Sequence, residues 1–112
     1  MILDQFKLTD KVAIVTGGGR GIGRGIALGF AEAGAHVVVA ARRAETLEEV
    51  AAEIRAMGRR ALAVPCDVTV SSQLDDLVAE TVREFGGVDL LVNNAGGTPP
   101  TPVLQLTDEA FE

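Results

Sequence analysis

The sequence predicts an α/β fold built on a parallel β-sheet. Short β-branched apolar runs alternate with longer runs whose apolar residues recur at the 3.6-residue period of a helix, and glycine follows each helical run. The strand runs are apolar throughout, as expected when helices cover both faces of a parallel sheet. The length of 112 residues, without a linker or repeat, predicts one domain that spans residues 1–112.

The first half of the chain contains two strand–helix pairs. Val12–Thr16 is the first predicted strand, and residues 22–33 carry the apolar face of a helix that Gly34 ends. Val37–Ala40 is the second strand, and residues 45–57 form the second helix. Because a helix follows each strand, we expect right-handed crossovers between parallel strands.

The second half repeats this order. Ala61–Val64 is the third predicted strand. Either Ser71 or Ser72 is expected to cap a third helix with its hydroxyl, since serine is a favoured N-cap residue. That helix ends before a pair of glycines, and Val88–Val92 is the fourth strand.

Little sequence remains after the fourth strand. Thr98–Pro102 is too rich in proline to be regular structure, and Thr107 is expected to begin one further, incomplete helix. The predicted fold class is thus α/β, a doubly wound parallel sheet (Rossmann-type) that is truncated after the fourth strand. Without a fifth strand, the apolar edge of the fourth is expected to make the isolated chain self-associate or fold only marginally.

Composition excludes several functional classes. The formal net charge is −6, and no run of Lys or Arg exceeds two residues, so no basic surface for nucleic acid is expected. The apolar runs are far shorter than the roughly 20 residues that cross a bilayer. The amino terminus lacks the basic start and long apolar stretch of a signal peptide. We therefore expect a soluble, cytoplasmic protein that binds neither nucleic acid nor membrane.

The single cysteine and single histidine are interpreted as structural. Cys66 has no partner for an intrachain disulfide and ends an apolar run, which favours a buried thiol. His36 opens another apolar run without a second ligand at suitable spacing. No metal site is predicted.

A glycine-rich loop joins the first strand to the first helix, with the sequence TGGGRGIG. Such a loop lets backbone N–H groups approach a pyrophosphate, and the helix N-terminus adds partial positive charge. The spacing is G-x-x-x-G-x-G through Gly17, Gly21 and Gly23, whereas the patterns G-x-G-x-x-G and the P-loop do not fit. The alternative is a glycine loop with a purely structural role.

Three motifs together resemble those of the short-chain dehydrogenases/reductases. The family signature T-G-x-x-x-G-[IL]-G matches the glycine loop, its N-N-A-G motif matches residues 93–96, and its Asp followed by an apolar residue matches residues 67–68. Each motif lies at the carboxyl end of a predicted strand, where open parallel sheets bind ligands. The resemblance spans nearly the whole chain.

The resemblance implies a set of cofactor-binding residues and roles for each. The glycine loop would contact pyrophosphate and ribose, residues 67–68 the adenine, and residues 94–96 the adenosine ribose, with Asn93 bracing the sheet. The residues concerned are Gly17, Arg20, Gly21, Ile22, Gly23, Asp67, Val68, Asn94, Ala95 and Gly96. Without the family, Asp67 could form only an Asx turn, and Asn93-Asn94 could be only a turn.

The end of the second strand indicates NADP(H) as the preferred cofactor, with NAD(H) possible. An NAD enzyme usually has Asp or Glu about 20 residues beyond the glycines. Ala41 occupies that position here, and Arg42 and Arg43 follow it. Arginine suits a 2′-phosphate, and Arg20 is a further cation in reach. The alternative is that Arg42 and Arg43 are solvated surface charges.

No catalytic residue is predicted within the chain. The resemblance implies that a Tyr and a Lys four residues later transfer the proton, aided by Ser and Asn, but the sequence contains no tyrosine. The expected function is an NADP-dependent oxidoreductase that acts on a small carbonyl or alcohol substrate, of which this chain is the cofactor-binding half and inactive alone. Family habit implies a homo-oligomer. The alternatives are a non-catalytic NADP(H)-binding module and an assembly half that complements a second chain.

Overall fold

The computed structural model describes residues 8–19, 21–94 and 104–105, with only the backbone described for the last two. Strands and helices alternate as the hydrophobic pattern predicts. In chain order the elements are β1 (Val12–Thr16), α1 (Gly21–Glu32), β2 (His36–Ala41), α2 (Ala44–Ala56), β3 (Ala61–Pro65), α3 (Ser71–Phe85), β4 (Leu90–Asn93) and β5 (Leu104–Gln105).

Four of the strands form a parallel sheet in the order β3-β2-β1-β4, which confirms the predicted fold class. β1 is central and pairs with β2 on one side and β4 on the other. The chain therefore reverses its direction of winding at β1, and such a reversal opens a crevice at the carboxyl ends of the strands.

The helices lie on both faces of this sheet, as predicted. One core cluster joins α1 and α2 to the sheet through Val15, Val37 and Val39. A second cluster joins α3 to the other face through Ile14 and Val38. Successive residues of a strand point to opposite faces of the sheet. Because helices cover both faces, successive apolar residues of a strand are both buried.

A two-residue strand that the sequence analysis did not predict lies beside β4. β5 pairs antiparallel with β4, with Leu90 opposite Gln105 and Leu91 opposite Leu104. The backbone edge that we expected to be unpaired is therefore paired at Leu90 and Leu91. The predicted proline-rich loop at 98–102 and the predicted helix start at Thr107 lie outside the described residues.

Three predicted element starts, those of α1, β2 and α2, differ from the structure by one residue, and two further ones were wrong for local reasons. β4 begins at Leu90 rather than Val88, because Asp89 intervenes with its own bonds to β1: the Val12 N–H donates to Asp89 Oδ2 (2.9 Å), and the Asp89 N–H donates to the Val12 carbonyl (2.8 Å). The N-cap of α3 is Val70, and no side chain caps the helix. Ser71 is already its first helical residue.

The structural interpretations of cysteine and histidine agree with the structure. Cys66 is buried in the cluster beneath α3. His36 accepts a hydrogen bond from the Arg60 N–H through Nδ1 (3.0 Å), and its ring stacks near Phe85. No group of three or more potential metal ligands and no helix long and apolar enough to cross a membrane occurs in the described part of the chain.

Candidate functional site

The predicted motifs meet at one edge of the sheet. Because β1 to β4 are parallel, the glycine loop after β1, the Arg pair after β2, Asp67 after β3 and Asn94 after β4 all follow carboxyl ends. The glycine loop lies at the central strand, so the other segments flank it on both sides. This is the crevice in which open α/β sheets bind ligands.

The glycine loop is held close to the end of β2. The Gly17 N–H donates to the Ala40 carbonyl (2.7 Å), and Gly17 adopts a positive φ of 68°. A Cβ on Gly18 would lie 3.0 Å from Val39 Cγ1, and one on Gly19 would lie 2.5 Å from Thr46 Oγ1. Side chains at these positions would push the loop away from β2 and α2.

Gly23 lets α1 pack directly on the loop that precedes it. A Cβ at this position would overlap the Gly17 carbonyl and lie 2.7 Å from Asn94 Nδ2. The sequence predicted close packing of this helix on the sheet; the contacts are with the loop and with the segment after β4. Gly21 has open space around it but a φ of 62°, so its backbone conformation is the one that favours glycine.

Thr16 connects the glycine loop to the Asn pair, a role that the sequence analysis did not assign. Its buried hydroxyl accepts a hydrogen bond from the Asn94 N–H (3.0 Å) and lies 3.0 Å from Asn93 Oδ1 and 3.2 Å from the Val92 carbonyl. The hydroxyl satisfies backbone groups where β1 and β4 end. Its place as the first residue of TGGGRGIG was the only available signal, since its partners lie 76–78 positions away.

The turn between β2 and α2 carries the two predicted cations. Ala41 ends β2 and is half-buried, whereas Arg42 and Arg43 are exposed. Arg43 is the N-cap of α2 and its side chain makes no capping bond. Within the described residues, neither guanidinium group forms a hydrogen bond or an ion pair. Arg42 lies near enough to Asp67 for its charge to act on that carboxyl group.

Asp67 forms a tight local turn after β3. Its Oδ1 accepts bonds from the Thr69 hydroxyl (2.6 Å) and the Thr69 N–H (3.0 Å), which is the Asx turn expected from the local alternative. These bonds, first from the hydroxyl and then from the N–H, lower the pKa of Asp67 below 3.8, and the charge of Arg42 lowers it further. Asp67 is therefore an ionised acceptor close to the cation after β2.

The two residues on either side of Asp67 both pack against the core cluster beneath α3. Val68 is half-buried against the cluster beneath α3. Burial raises the pKa of the Cys66 thiol, and the carboxylates of Asp67 and Asp76 raise it further. A thiol with a raised pKa is a weaker nucleophile at neutral pH, which agrees with the structural interpretation of Cys66.

The structure does not describe every predicted residue. Gly17, Gly23 and Asn94 are brought together, Arg42 and Asp67 form a neighbouring pair, and Ile22 is largely exposed at the start of α1. Arg20, Ala95 and Gly96 lie outside the described residues. Thr16, Gly18, Gly19 and Thr46 belong to the same edge but were missed as site residues by the sequence analysis.

Comparison with known proteins identifies relatives over almost the whole chain. The family model for short chain dehydrogenase matches residues 11–112. An uncharacterized oxidoreductase, MT0954, of Mycobacterium tuberculosis is 51% identical over 104 residues, which are 93% of this chain and 40% of the relative. The 7alpha-hydroxysteroid dehydrogenase of Escherichia coli is 46% identical over 99 residues, which are 88% of this chain and 39% of the relative.

Solved structures give the same result at the level of the fold. A 7 alpha-hydroxysteroid dehydrogenase complexed with NADH and 7-oxo glycochenodeoxycholic acid superposes with a TM-score of 0.81 at 45% identity, covering 88% of this chain and 39% of that one. A short-chain type dehydrogenase/reductase from Mycobacterium marinum superposes with a TM-score of 0.78 at 44% identity, covering 81% and 37%. The chain thus spans about two fifths of the length of the proteins that it matches.

Proposed function

The chain belongs to the short-chain dehydrogenase family, and from this premise we propose that it is the cofactor-binding part of an NADP-dependent oxidoreductase. The whole protein would interconvert a carbonyl and an alcohol on a small substrate. The observation that carries the cofactor choice is the sequence at the end of β2, where Ala41 replaces an acid and Arg42 follows with an exposed side chain.

The described residues fit a dinucleotide at the carboxyl edge of the sheet. The loop from Gly17 to Gly19 has no side chains, so a pyrophosphate can approach its backbone, and the N-terminus of α1 directly follows it. Asp67 offers an ionised carboxylate beside the crevice for an adenine amino group. Asn94 directly follows β4, on the side of the glycine loop opposite to Arg42 and Asp67. Among the predicted residues, Arg20, Ala95 and Gly96 are included in the proposal on sequence alone.

Preference for NADP(H) follows from charge. An acid at position 41 would repel a 2′-phosphate, whereas Ala41 does not, and Arg42 and Arg43 supply positive charge next to it. A hydrogen bond to a charged group contributes roughly 1.5–3 kcal/mol, which corresponds to about a tenfold to hundredfold preference.

In this proposal, the residues of this chain bind the cofactor and orient it. When bound, the nicotinamide of the cofactor would donate a hydride to the carbonyl in the reduction, or accept a hydride from the alcohol in the oxidation. The glycine loop and Thr16 position the cofactor by fixing where β1 and β4 end. No described residue is assigned a proton-transfer role, because the chain contains no tyrosine and its only two serines, Ser71 and Ser72, begin α3.

The test is the binding of NADPH and NADH to the full protein, measured by calorimetry for matched variants. We expect NADPH to bind more tightly, and Arg42→Gln to weaken NADPH by about tenfold or more while NADH changes little. Ala41→Asp is expected to reverse the preference. Arg83→Gln removes an exposed charge on α3 and serves as the control.

Equal affinities of the unmodified protein for NADPH and NADH would contradict the proposed preference. An unchanged NADPH affinity in Arg42→Gln would return Arg42 to the alternative of a solvated surface charge. Binding of neither nucleotide, in a protein that is folded by circular dichroism, would contradict the cofactor-binding role as a whole.

We also propose a small carbonyl or alcohol substrate, a cytoplasmic location and a homo-oligomer for the whole protein. The substrate class is supported by the names of relatives, which include a hydroxysteroid dehydrogenase of Escherichia coli and a hydroxynaphthalene reductase of Aspergillus fumigatus. Light scattering of the full protein tests the oligomer, since a mass of one chain would contradict it.

A further inference from the structure

Thr46, the third residue of α2, packs against the glycine loop. A Cβ added at Gly19 would lie 2.5 Å from Thr46 Oγ1 and 3.2 Å from Thr46 Cβ, so the half-buried threonine fills the space beside the loop. The next contact, at 3.6 Å to Leu47 Cδ2, is an ordinary van der Waals distance. Gly19 does not have a positive φ, so a side chain at this position is opposed by lack of space rather than by backbone conformation.

The chain is held against the same loop on either side of the two predicted cations. Before them, the Ala40 carbonyl accepts a hydrogen bond from the Gly17 N–H (2.7 Å). After them, Thr46 makes the contact just described. The exposed turn Arg42-Arg43, called the cation turn below, is therefore a short span between two points that both contact the glycine loop.

The two points of contact depend on the sequence in different ways. The contact at Ala40 uses its backbone carbonyl, which a residue of any type carries. The contact at Thr46 uses the γ atom of its side chain, so a smaller residue would leave a gap between α2 and Gly19. Of the two, the position of the cation turn therefore depends on the residue type only at Thr46.

The spacing between the glycine loop and the cation turn matters for a ligand that contacts both. In the proposed complex, one NADP(H) molecule places its pyrophosphate at the loop and its 2′-phosphate at the turn. The forked contact of an arginine with a phosphate depends on direction as well as distance. A loop and a turn that are displaced from each other would keep the pyrophosphate contact and weaken the contact with the 2′-phosphate.

We propose that Thr46 is a positioning residue for the NADP(H) preference. By filling the space beside Gly19, its side chain sets the distance between the glycine loop and the cation turn. Thr46 acts through Arg42 and Arg43 and is assigned no contact with the cofactor. This inference rests on the proposed function, because it concerns how that site distinguishes NADPH from NADH.

The test compares the NADPH and NADH affinities of the full protein by calorimetry in variants of Thr46. Thr46→Ala removes both γ atoms and is expected to weaken NADPH about threefold to tenfold more than NADH, which is part of the effect of one arginine–phosphate contact. Thr46→Val keeps both γ positions and should retain the preference. A purely structural role of Thr46 would lower both affinities by the same factor, so the ratio separates the two roles.

A second pair of variants tests the contact itself. Gly19→Ala brings a Cβ against Thr46 Oγ1 and is expected to weaken both nucleotides, because the loop is pushed away from α2. Adding Thr46→Ala removes Oγ1, so the NADPH affinity should recover severalfold relative to Gly19→Ala alone. Gly25→Ala, in α1 with open space around it, is the matched control, and its effect should simply add to that of Thr46→Ala.

The outcomes separate this inference from the proposed function. An unmodified protein that does not prefer NADPH contradicts the proposed function, and the inference is lost with it. A preference that Arg42→Gln abolishes but Thr46→Ala leaves unchanged contradicts the inference alone. Effects of Gly19→Ala and Thr46→Ala that add without recovery also overturn it, since the contact between the two residues would then have no influence on binding.

Discussion

At the scale of single residues, the site depends on groups that join distant parts of the chain. The Thr16 hydroxyl meets the Asn94 N–H at the ends of β1 and β4, and Gly23 leaves the space in which Gly17 and Asn94 come together. The absence of a Cβ at Gly23 and the hydroxyl of Thr16 thus determine how closely the glycine loop approaches its neighbours. Neither effect depends on residue charge.

Gly23→Ala is expected to destabilise the protein and to weaken cofactor binding. The new Cβ would overlap the Gly17 carbonyl, and overpacking of this kind costs about 1–3 kcal/mol. Urea denaturation and NADPH titration of the full protein measure the two effects. Gly25→Ala, in the same helix with open space around it, is the control and should stabilise the helix by up to about 1 kcal/mol. Equal behaviour of the two variants would contradict the role of Gly23.

The titration of Asp67 tests its local turn. Thr69→Val removes the hydroxyl bond that is the main cause of the lowered pKa, so the pKa of Asp67 should rise toward 3.8. Because the folded pKa is depressed, the stability contributed by this turn is present above the unfolded pKa and is lost as pH falls through the folded pKa. Carboxyl carbon NMR from pH 6 downward measures the shift.

Thr69→Ser keeps the hydroxyl and is the matched control, so Asp67 should titrate in it as in the unmodified protein. If Asp67 titrates identically in Thr69→Val as well, the hydroxyl bond is not the cause of the lowered pKa.

At the scale of secondary-structure elements, helix ends were predicted better by glycine than by serine. Gly34, Gly58 and Gly86 all have positive φ at or just beyond helix ends, because the left-handed conformation there favours a residue without a Cβ. Ser71 and Ser72 were expected to cap α3, but the cap position falls on Val70. The Asp67 turn fixes the entry to α3 through the bond from the Val70 N–H to the Asp67 carbonyl (3.0 Å).

Gly86→Ala is expected to lower stability more than substitution of either serine. Gly86 is the left-handed C-cap of α3 at a φ of 87°, which costs a residue with a Cβ about 1–2 kcal/mol. Ser71→Ala and Ser72→Ala lose no capping bond and should each change the free energy of unfolding by less than about 0.5 kcal/mol. Chemical denaturation compares the three variants; a loss above 1 kcal/mol in a serine variant would show that its hydroxyl does cap α3.

At the scale of the whole molecule, the winding of the sheet assembles the candidate site. β1 lies between β2 and β4 in the order β3-β2-β1-β4, so the glycine loop falls between the segments that carry Arg42 and Asn94.

The sequence by itself determined the order and type of the helices and strands, the family, and the residues that carry the motifs. These follow from local patterns: the hydrophobic period, glycine at positions of positive φ, and the absence of an acid at Ala41. Only the tertiary structure decided the bridge from Thr16 to Asn94, the start of β4 after Asp89, and the pairing of β5. The physical reason is that a sequence pattern indicates which side of an element is buried, whereas hydrogen-bond partners as far as 78 residues apart are chosen by how the elements pack.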